Sequence, residues 1–182
     1  MSTPTTRYTK PAIWLHWIVA ALMLFMLFFG GDNYIRVHEG ESLGGWRPSA
    51  HASIGILILL LGLARLLWRL GHPAPALPQH MPRWQIWVTH AVHWAFYVLI
   101  IGIPVMGLLA IVPFGAERLD AEQVTFFNLF PVAVLPNLGE WTIDGHALLA
   151  NIAQALVIVH VLAALKHQFW DKDRLFARMR PW

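Results

Sequence analysis

Four long apolar stretches limit this chain to very few folds. They cover about residues 12–30, 50–70, 85–112 and 145–170. A helix of about 20 residues crosses the hydrocarbon core of a bilayer, which is about 30 Å thick. The sequence shows no strand alternation, and lipid accepts only helices or closed barrels. We therefore predict an all-α integral membrane protein, a bundle of four transmembrane helices that forms a single domain over residues 1–182.

Composition agrees with this class and narrows the possible cofactors. The chain is 57% hydrophobic and only 13% charged, whereas soluble domains are about 25% charged. It contains no cysteine, which excludes disulfides, iron–sulfur clusters and the covalent attachment of c-type haem. Any haem must therefore be bound without covalent links to the chain.

The distribution of charge predicts the orientation of the helices. Most Lys and Arg residues lie before the first stretch, between the second and third, and after the fourth. The other two connections hold eight of the ten acidic residues. Because positive loops stay inside, we predict that both termini are cytoplasmic. The formal charge of +3 follows from this topology and requires no nucleic-acid partner. We also expect the first stretch to be retained, because no small-residue cleavage site follows it.

The longest connection is predicted to be an outer interfacial loop over residues 113–144. Its middle reads VTFFNLFPVAVLPNLGEW, which is too apolar for a loop that is free in solvent. We expect this segment to lie at the membrane interface or to cap the bundle.

Four of the ten histidines fall at two matching depths. His146 and His160 are separated by fourteen residues in the fourth stretch, which places them on one side of a helix and about 21 Å apart. His51 opens the second stretch at the outer level, and His16 lies inside the first at the inner level. The sequence therefore predicts two pairs between helices, His51 with His146 and His16 with His160.

Such pairs are typical of haem iron held by two axial imidazoles. Two neutral imidazoles approach a planar iron porphyrin from opposite faces, inside an apolar cleft. We predict two haems with these four histidines as iron ligands. The alternatives are histidines that hydrogen-bond within the core, and a zinc site. Zinc needs three or four ligands at one point, whereas these histidines fall into two separate pairs.

Neighbouring residues complete the predicted site. Arg65 follows His51 by fourteen residues, so it lies on the same helix face at the inner level, where it can bind a haem propionate. The alternative is that it extends to the lipid headgroups, which we predict for Arg69. Gly55, one turn after His51, would let the macrocycle approach the backbone or would serve helix packing.

Three further histidines near the inner end have open roles. His90 and His93 could replace His16 or His160 as ligands, or hydrogen-bond to a propionate or a quinone. With Lys166 and Trp170, His167 could form a quinone pocket or a proton path, or it could be a residue of the membrane interface.

The sequence resembles the bacterial cytochrome b561 family over essentially the whole chain. AIWLHWIV is similar to the first-helix ligand segment of that family, and HASIGILILLLGLARLLWRL to its second helix. THAVHWAFYVLIIGIPVMGL and HALLANIAQALVIVHVLAALKHQFW resemble the third and fourth helices. The fourteen-residue spacing in the last segment is the most specific of these signals.

The resemblance implies a function as well as a fold. It implies two non-covalent haem b groups with His16, His51, His146 and His160 as axial ligands, and electron exchange with ubiquinone in the bacterial inner membrane. The electron donor stays open. The alternatives are a superoxide oxidase, which passes an electron from superoxide to ubiquinone, and a cytochrome b anchor subunit of a larger dehydrogenase.

Overall fold

The computed structural model describes residues 7–30, 46–78, 81–118, 124–132, 135–136, 138–173 and 175–181. Four helices dominate these residues: α1 (Lys10–Phe29), α2 (Trp46–Gly71), α3 (Arg83–Arg118) and α4 (Trp141–Lys166). Each contains an apolar segment long enough to cross a membrane. The predicted all-α fold with four transmembrane helices is confirmed.

The helices extend beyond the predicted apolar stretches. The third helix continues to Arg118 and the fourth begins at Trp141, so the loop predicted for 113–144 is too long at both ends. Hydropathy marks the part of a helix that lies in lipid, but the backbone hydrogen bonds of a helix can continue past it. At its other end α4 passes into a π-helical turn, His167–Asp171.

The helices pack in the cyclic order α1, α2, α3, α4. Their buried contact consists of apolar side chains at mid-depth, namely Val19, Met23, Ile58, Leu99, Ile100, Ile103 and Ala153. A Cβ on Gly62 would overlap the Ile100 side chain, so glycine allows α2 and α3 to approach closely here. Small residues at helix contacts are the usual means of close packing in membranes.

Both ends of the described chain lie at one end of the bundle. The Tyr8 amide donates to the Arg178 carbonyl (3.3 Å), and the Trp17 indole donates to the Met179 carbonyl (2.7 Å). We call this the inner end and the opposite end the outer end. A 3-10 turn, Phe176–Met179, therefore lies against α1 at the inner end.

A small hairpin lies on the outer end of α2. Strands β1 (Thr125–Phe126) and β2 (Phe130–Pro131) pair antiparallel, with Phe126 opposite Phe130. The Thr125 amide donates to Ser49 Oγ (3.1 Å), and the Phe127 amide donates to Ser53 Oγ (2.7 Å). The hairpin thus lies beside the helix turn that contains His51.

Candidate cofactor site

The outer level brings His51 and His146 close together, with one ring edge-on to the other. Their ring centroids are 5.9 Å apart and the rings are inclined by 64°. With metal–nitrogen bonds of about 2 Å and about 1 Å from each nitrogen to its ring centre, two axial imidazoles are about 6 Å apart. The observed separation therefore suits one metal ion between the two rings.

The hydrogen bond of His146 leaves its second nitrogen available for a metal. The Nδ1 atom lies 2.9 Å from the Ile103 carbonyl oxygen, which can only accept. Nδ1 therefore carries the proton, and the neutral ring presents an unprotonated Nε2. A hydrogen bond of this kind also fixes the orientation of a metal-bound imidazole.

His51 has a buried nitrogen that no described protein atom satisfies. Its Nδ1 is inaccessible to solvent and lacks a hydrogen-bond partner. A buried polar atom left in this way costs about 1–3 kcal/mol. The ring is therefore placed by its surroundings rather than by a hydrogen bond, which fits a residue positioned for a ligand.

Three glycines shape the space around this pair. A Cβ on Gly107 would stand 3.0 Å from the His146 ring, and one on Gly30 would stand 3.3 Å from His51 Cε1. By contrast, no atom of the described residues lies within 4 Å of the Cβ position of Gly55. The ring separation and the available Nε2 of His146 fit a metal porphyrin at this level.

The inner level brings together three histidines rather than two. The His160 ring lies 6.1 Å from the His93 ring, inclined by 69°, and 5.2 Å from the Phe96 ring. His16 is close enough for its charge to interact with both histidines. The structure thus brings His16, His93 and His160 together at one level, with His93 in ring contact with His160.

Arg65 occupies one nitrogen of His16. Its Nη2 lies 3.1 Å from His16 Nδ1, and its guanidinium carbon lies 5.4 Å from the centre of the Tyr97 ring. A guanidinium can only donate, so Nδ1 accepts and the proton of neutral His16 sits on Nε2. His16 can bind a metal through Nε2 only when that proton moves and Arg65 releases Nδ1.

Arg69 is half-buried near the end of α2. Its Nη1 is buried and has no hydrogen-bond partner among the described residues. Its charge acts on Tyr8, whose pKa is raised by burial against the opposing effect of Arg69 and Arg65. The sequence does indicate that Arg69 lies beside Arg65, because it follows Arg65 by one helical turn. Nothing in the sequence singles out Tyr8.

His167 is bound by two carboxylates beyond the end of α4. Its Nδ1 lies 2.6 Å from Asp173 Oδ2 and 3.1 Å from Asp171 Oδ2. Lys166 binds the same Asp171 at 2.5 Å, and Trp170 is 84% exposed. The structure therefore places His167 against two aspartates, one of which also pairs with Lys166, and leaves Trp170 exposed.

Comparison with known proteins gives a family and several full-length relatives for this chain. A sequence model of the prokaryotic cytochrome b561 family matches residues 7–182. Cytochrome b561 homolog 2 of Escherichia coli (strain K12) is 31% identical, over 95% of this chain and 90% of the relative. The probable superoxide oxidase CybB of Yersinia pestis is 29% identical over 96% of both chains. Cytochrome b562 of Cereibacter sphaeroides is 29% identical over 98% of this chain and 99% of the relative.

Proposed function

We propose that this chain, which belongs to the prokaryotic cytochrome b561 family, carries electrons through two haem b groups and exchanges them with ubiquinone. The family consists of multi-pass inner-membrane electron-transfer proteins with b-type haem. The number of haems, their ligands and the quinone are parts of the proposal. The ligand pairs are His51 with His146 and His16 with His160.

The outer pair is the single observation that supports the proposal most strongly. Two neutral imidazoles lie 5.9 Å apart, and His146 has its proton held on Nδ1 by the Ile103 carbonyl. Bound haem supplies a one-electron couple, and axial ligands, burial and hydrogen bonds set its potential. The residues themselves position the rings, through the Ile103 carbonyl at His146 and through Gly107 and Gly30 beside the two rings. The second pair lies about 21 Å further along α4, so the two sites follow one another across the membrane.

Optical spectroscopy tests the number and type of haems. Purified protein reduced with dithionite should show a b-type spectrum, and extraction should yield two haems per chain. The ligands are histidines and the chain contains no cysteine, so acidified acetone should extract both haems. A single haem would mean that one pair is structural, and protein that stays colourless after expression with added haemin would overturn the proposal.

A second candidate function is superoxide oxidation, which the similarity to the probable superoxide oxidase of Yersinia pestis favours. In this reaction two superoxide anions each lose one electron to become dioxygen, and ubiquinone takes up both electrons and two protons. In a stopped-flow experiment, superoxide should reduce the haems within its lifetime, and added ubiquinone should then reoxidise them. If ubiquinone reoxidises the haems but superoxide does not reduce them, the protein is a quinone-linked electron carrier that takes its electrons from another donor. Failure of ubiquinone to exchange electrons with either haem would contradict both functions.

A further inference from the structure

A row of exposed side chains runs along the length of α4. Its members are separated by steps of three and four residues, and they are Leu148, Asn151, Ala155, Ile158 and Leu162. All five lie on the surface of the bundle, and the three large apolar ones are 60%, 49% and 60% exposed. This spacing keeps side chains along one contact between two helices that cross at a small angle. We call these five residues the α4 seam.

The α4 seam faces away from the rest of its own chain. At about 100° per residue, Asn151 points about 140° away from His146 and about 180° away from His160. Ala153, two residues after Asn151, is completely buried in the core. Because α4 is one of the four membrane-spanning helices, its side opposite the core meets lipid or another protein. The seam therefore takes no part in the proposed haem sites.

Asn151 is an unusual residue for this position. It lies ten residues after the start of α4 at Trp141, which is about 15 Å along the axis and close to the middle of a hydrocarbon core about 30 Å thick. Among the described residues at this depth, the other exposed side chains are apolar. The nearby Gln154 donates to the Leu27 carbonyl (3.5 Å), whereas the Asn151 carboxamide makes no hydrogen bond within the described part of the chain. An amide that is exposed to hydrocarbon without a partner is costly.

A second copy of the same chain offers the partner that Asn151 lacks. Every copy inserts into the membrane with the same orientation, so its Asn151 lies at the same depth. A carboxamide has both N–H donors and a carbonyl acceptor, so in a facing pair each oxygen accepts from the N–H of the other. A lipid tail offers neither group.

We propose that two copies of this chain associate through the α4 seam, with their Asn151 carboxamides hydrogen-bonded to each other. A two-fold axis along the membrane normal places each seam residue against its counterpart. Ala155, one turn from Asn151, lets the two backbones approach closely, and Leu148, Ile158 and Leu162 pack on either side of this point. A single polar residue in such a seam also fixes the register of two helices. The association requires neither haem nor quinone, so it stands or falls separately from the proposed function.

Cysteine cross-linking tests the position of the contact, because the chain has no cysteine of its own. Leu148→Cys and Ile158→Cys place a thiol in the seam, and Leu60→Cys and Val98→Cys place one at exposed positions of α2 and α3. Each full-length variant is oxidised with copper phenanthroline in the membrane in which it was expressed. We expect disulfide-linked dimers from the two seam variants only. Equal cross-linking at all four positions would reflect random collision and would overturn the proposal.

Substitution of Asn151 tests the hydrogen bond itself. Stepwise photobleaching of labelled protein in phosphatidylcholine liposomes counts the copies that associate at a series of protein-to-lipid ratios. We expect Asn151→Leu to weaken association about tenfold, and Asn151→Gln to weaken it less because it keeps the carboxamide. The matched control is Gln154→Leu, which removes a carboxamide whose partner lies in the same chain and should leave association unchanged. Unaltered haem content in Asn151→Leu would show that this variant is folded.

A second variant and the remaining outcomes complete the test. Ala155→Ile keeps the two backbones apart and should also weaken association, even if Asn151→Leu fails to insert. The proposal is wrong if the wild type stays single at every protein-to-lipid ratio, or if Asn151→Leu and Ala155→Ile associate as the wild type does. It is also wrong if the purified wild type is single but carries a different membrane protein that Asn151→Leu releases, because the seam would then bind another chain.

Discussion

Replacing His146 by alanine should reduce the haem content from two per chain to one. The variant loses the imidazole whose Nδ1 donates to the Ile103 carbonyl at 2.9 Å, and with it one of two axial bonds to iron. His51, whose Nδ1 has no hydrogen-bond partner among the described residues, cannot hold the group alone at wild-type affinity. His51→Ala should give the same result. Pyridine haemochrome analysis of the purified variants measures the haem content, and electron paramagnetic resonance reports the ligands of what remains.

The matched control for this experiment is His90→Ala. His90 is an exposed histidine on α3, and its loss should leave two haems with unchanged spectra. Exogenous imidazole should restore the second haem to His146→Gly, because it can fill the space of the missing ring. Two low-spin haems with unaltered spectra in both His51→Ala and His146→Ala would show that this pair does not bind iron.

The outer pair could be predicted from the sequence for a geometrical reason. His51 lies near the start of α2 and His146 near the start of α4, so both are at helix ends whose depth is fixed by the membrane boundary. Alternate helices in a four-helix bundle run in the same direction, so these two starts share one side. The close approach of the two rings further depends on small residues such as Gly107, whose contacts the sequence does not reveal.

The inner level could be predicted only in part. The depth of a residue follows from its position along a helix, but its direction depends on the rotation of that helix against its neighbours. His16, His93 and His160 lie at similar depths, and the sequence does not determine which rings meet. Depth alone allows Arg69 to reach the headgroups, and the sequence does not reveal that its Nη1 is buried. Nor does it reveal that the terminal segments meet at this end of the bundle, through contacts such as Trp17 with Met179.

Removing His160 should eliminate the inner haem, and separate replacement of His16 and His93 should identify the ligand opposite it. We expect His16→Ala to lose this haem and His93→Ala to retain it. The reason lies in helix packing. Among neighbouring helices, α3 and α4 make the most extensive contact, which leaves little room for a macrocycle between them. Of the adjacent helices, α1 and α4 make the least extensive contact.

His93 would then affect the potential of the inner haem without binding its iron. Its ring lies 6.1 Å from that of His160, so His93→Ala should keep two haems per chain but shift the inner potential, which redox titration measures. The reverse pattern, with the haem lost in His93→Ala and kept in His16→Ala, would make His93 the ligand.

The protonation of His16 links this experiment to the arginines of α2. To bind iron through Nε2, His16 must carry its proton on Nδ1, and that nitrogen can then no longer accept from Arg65 at 3.1 Å. Arg65 must then turn away from His16, which frees its guanidinium for a haem propionate. Arg65→Gln should therefore leave the ligand in place but weaken retention of the inner haem. If Arg65→Gln instead tightened haem binding, the guanidinium would be competing with iron for His16 rather than binding a propionate.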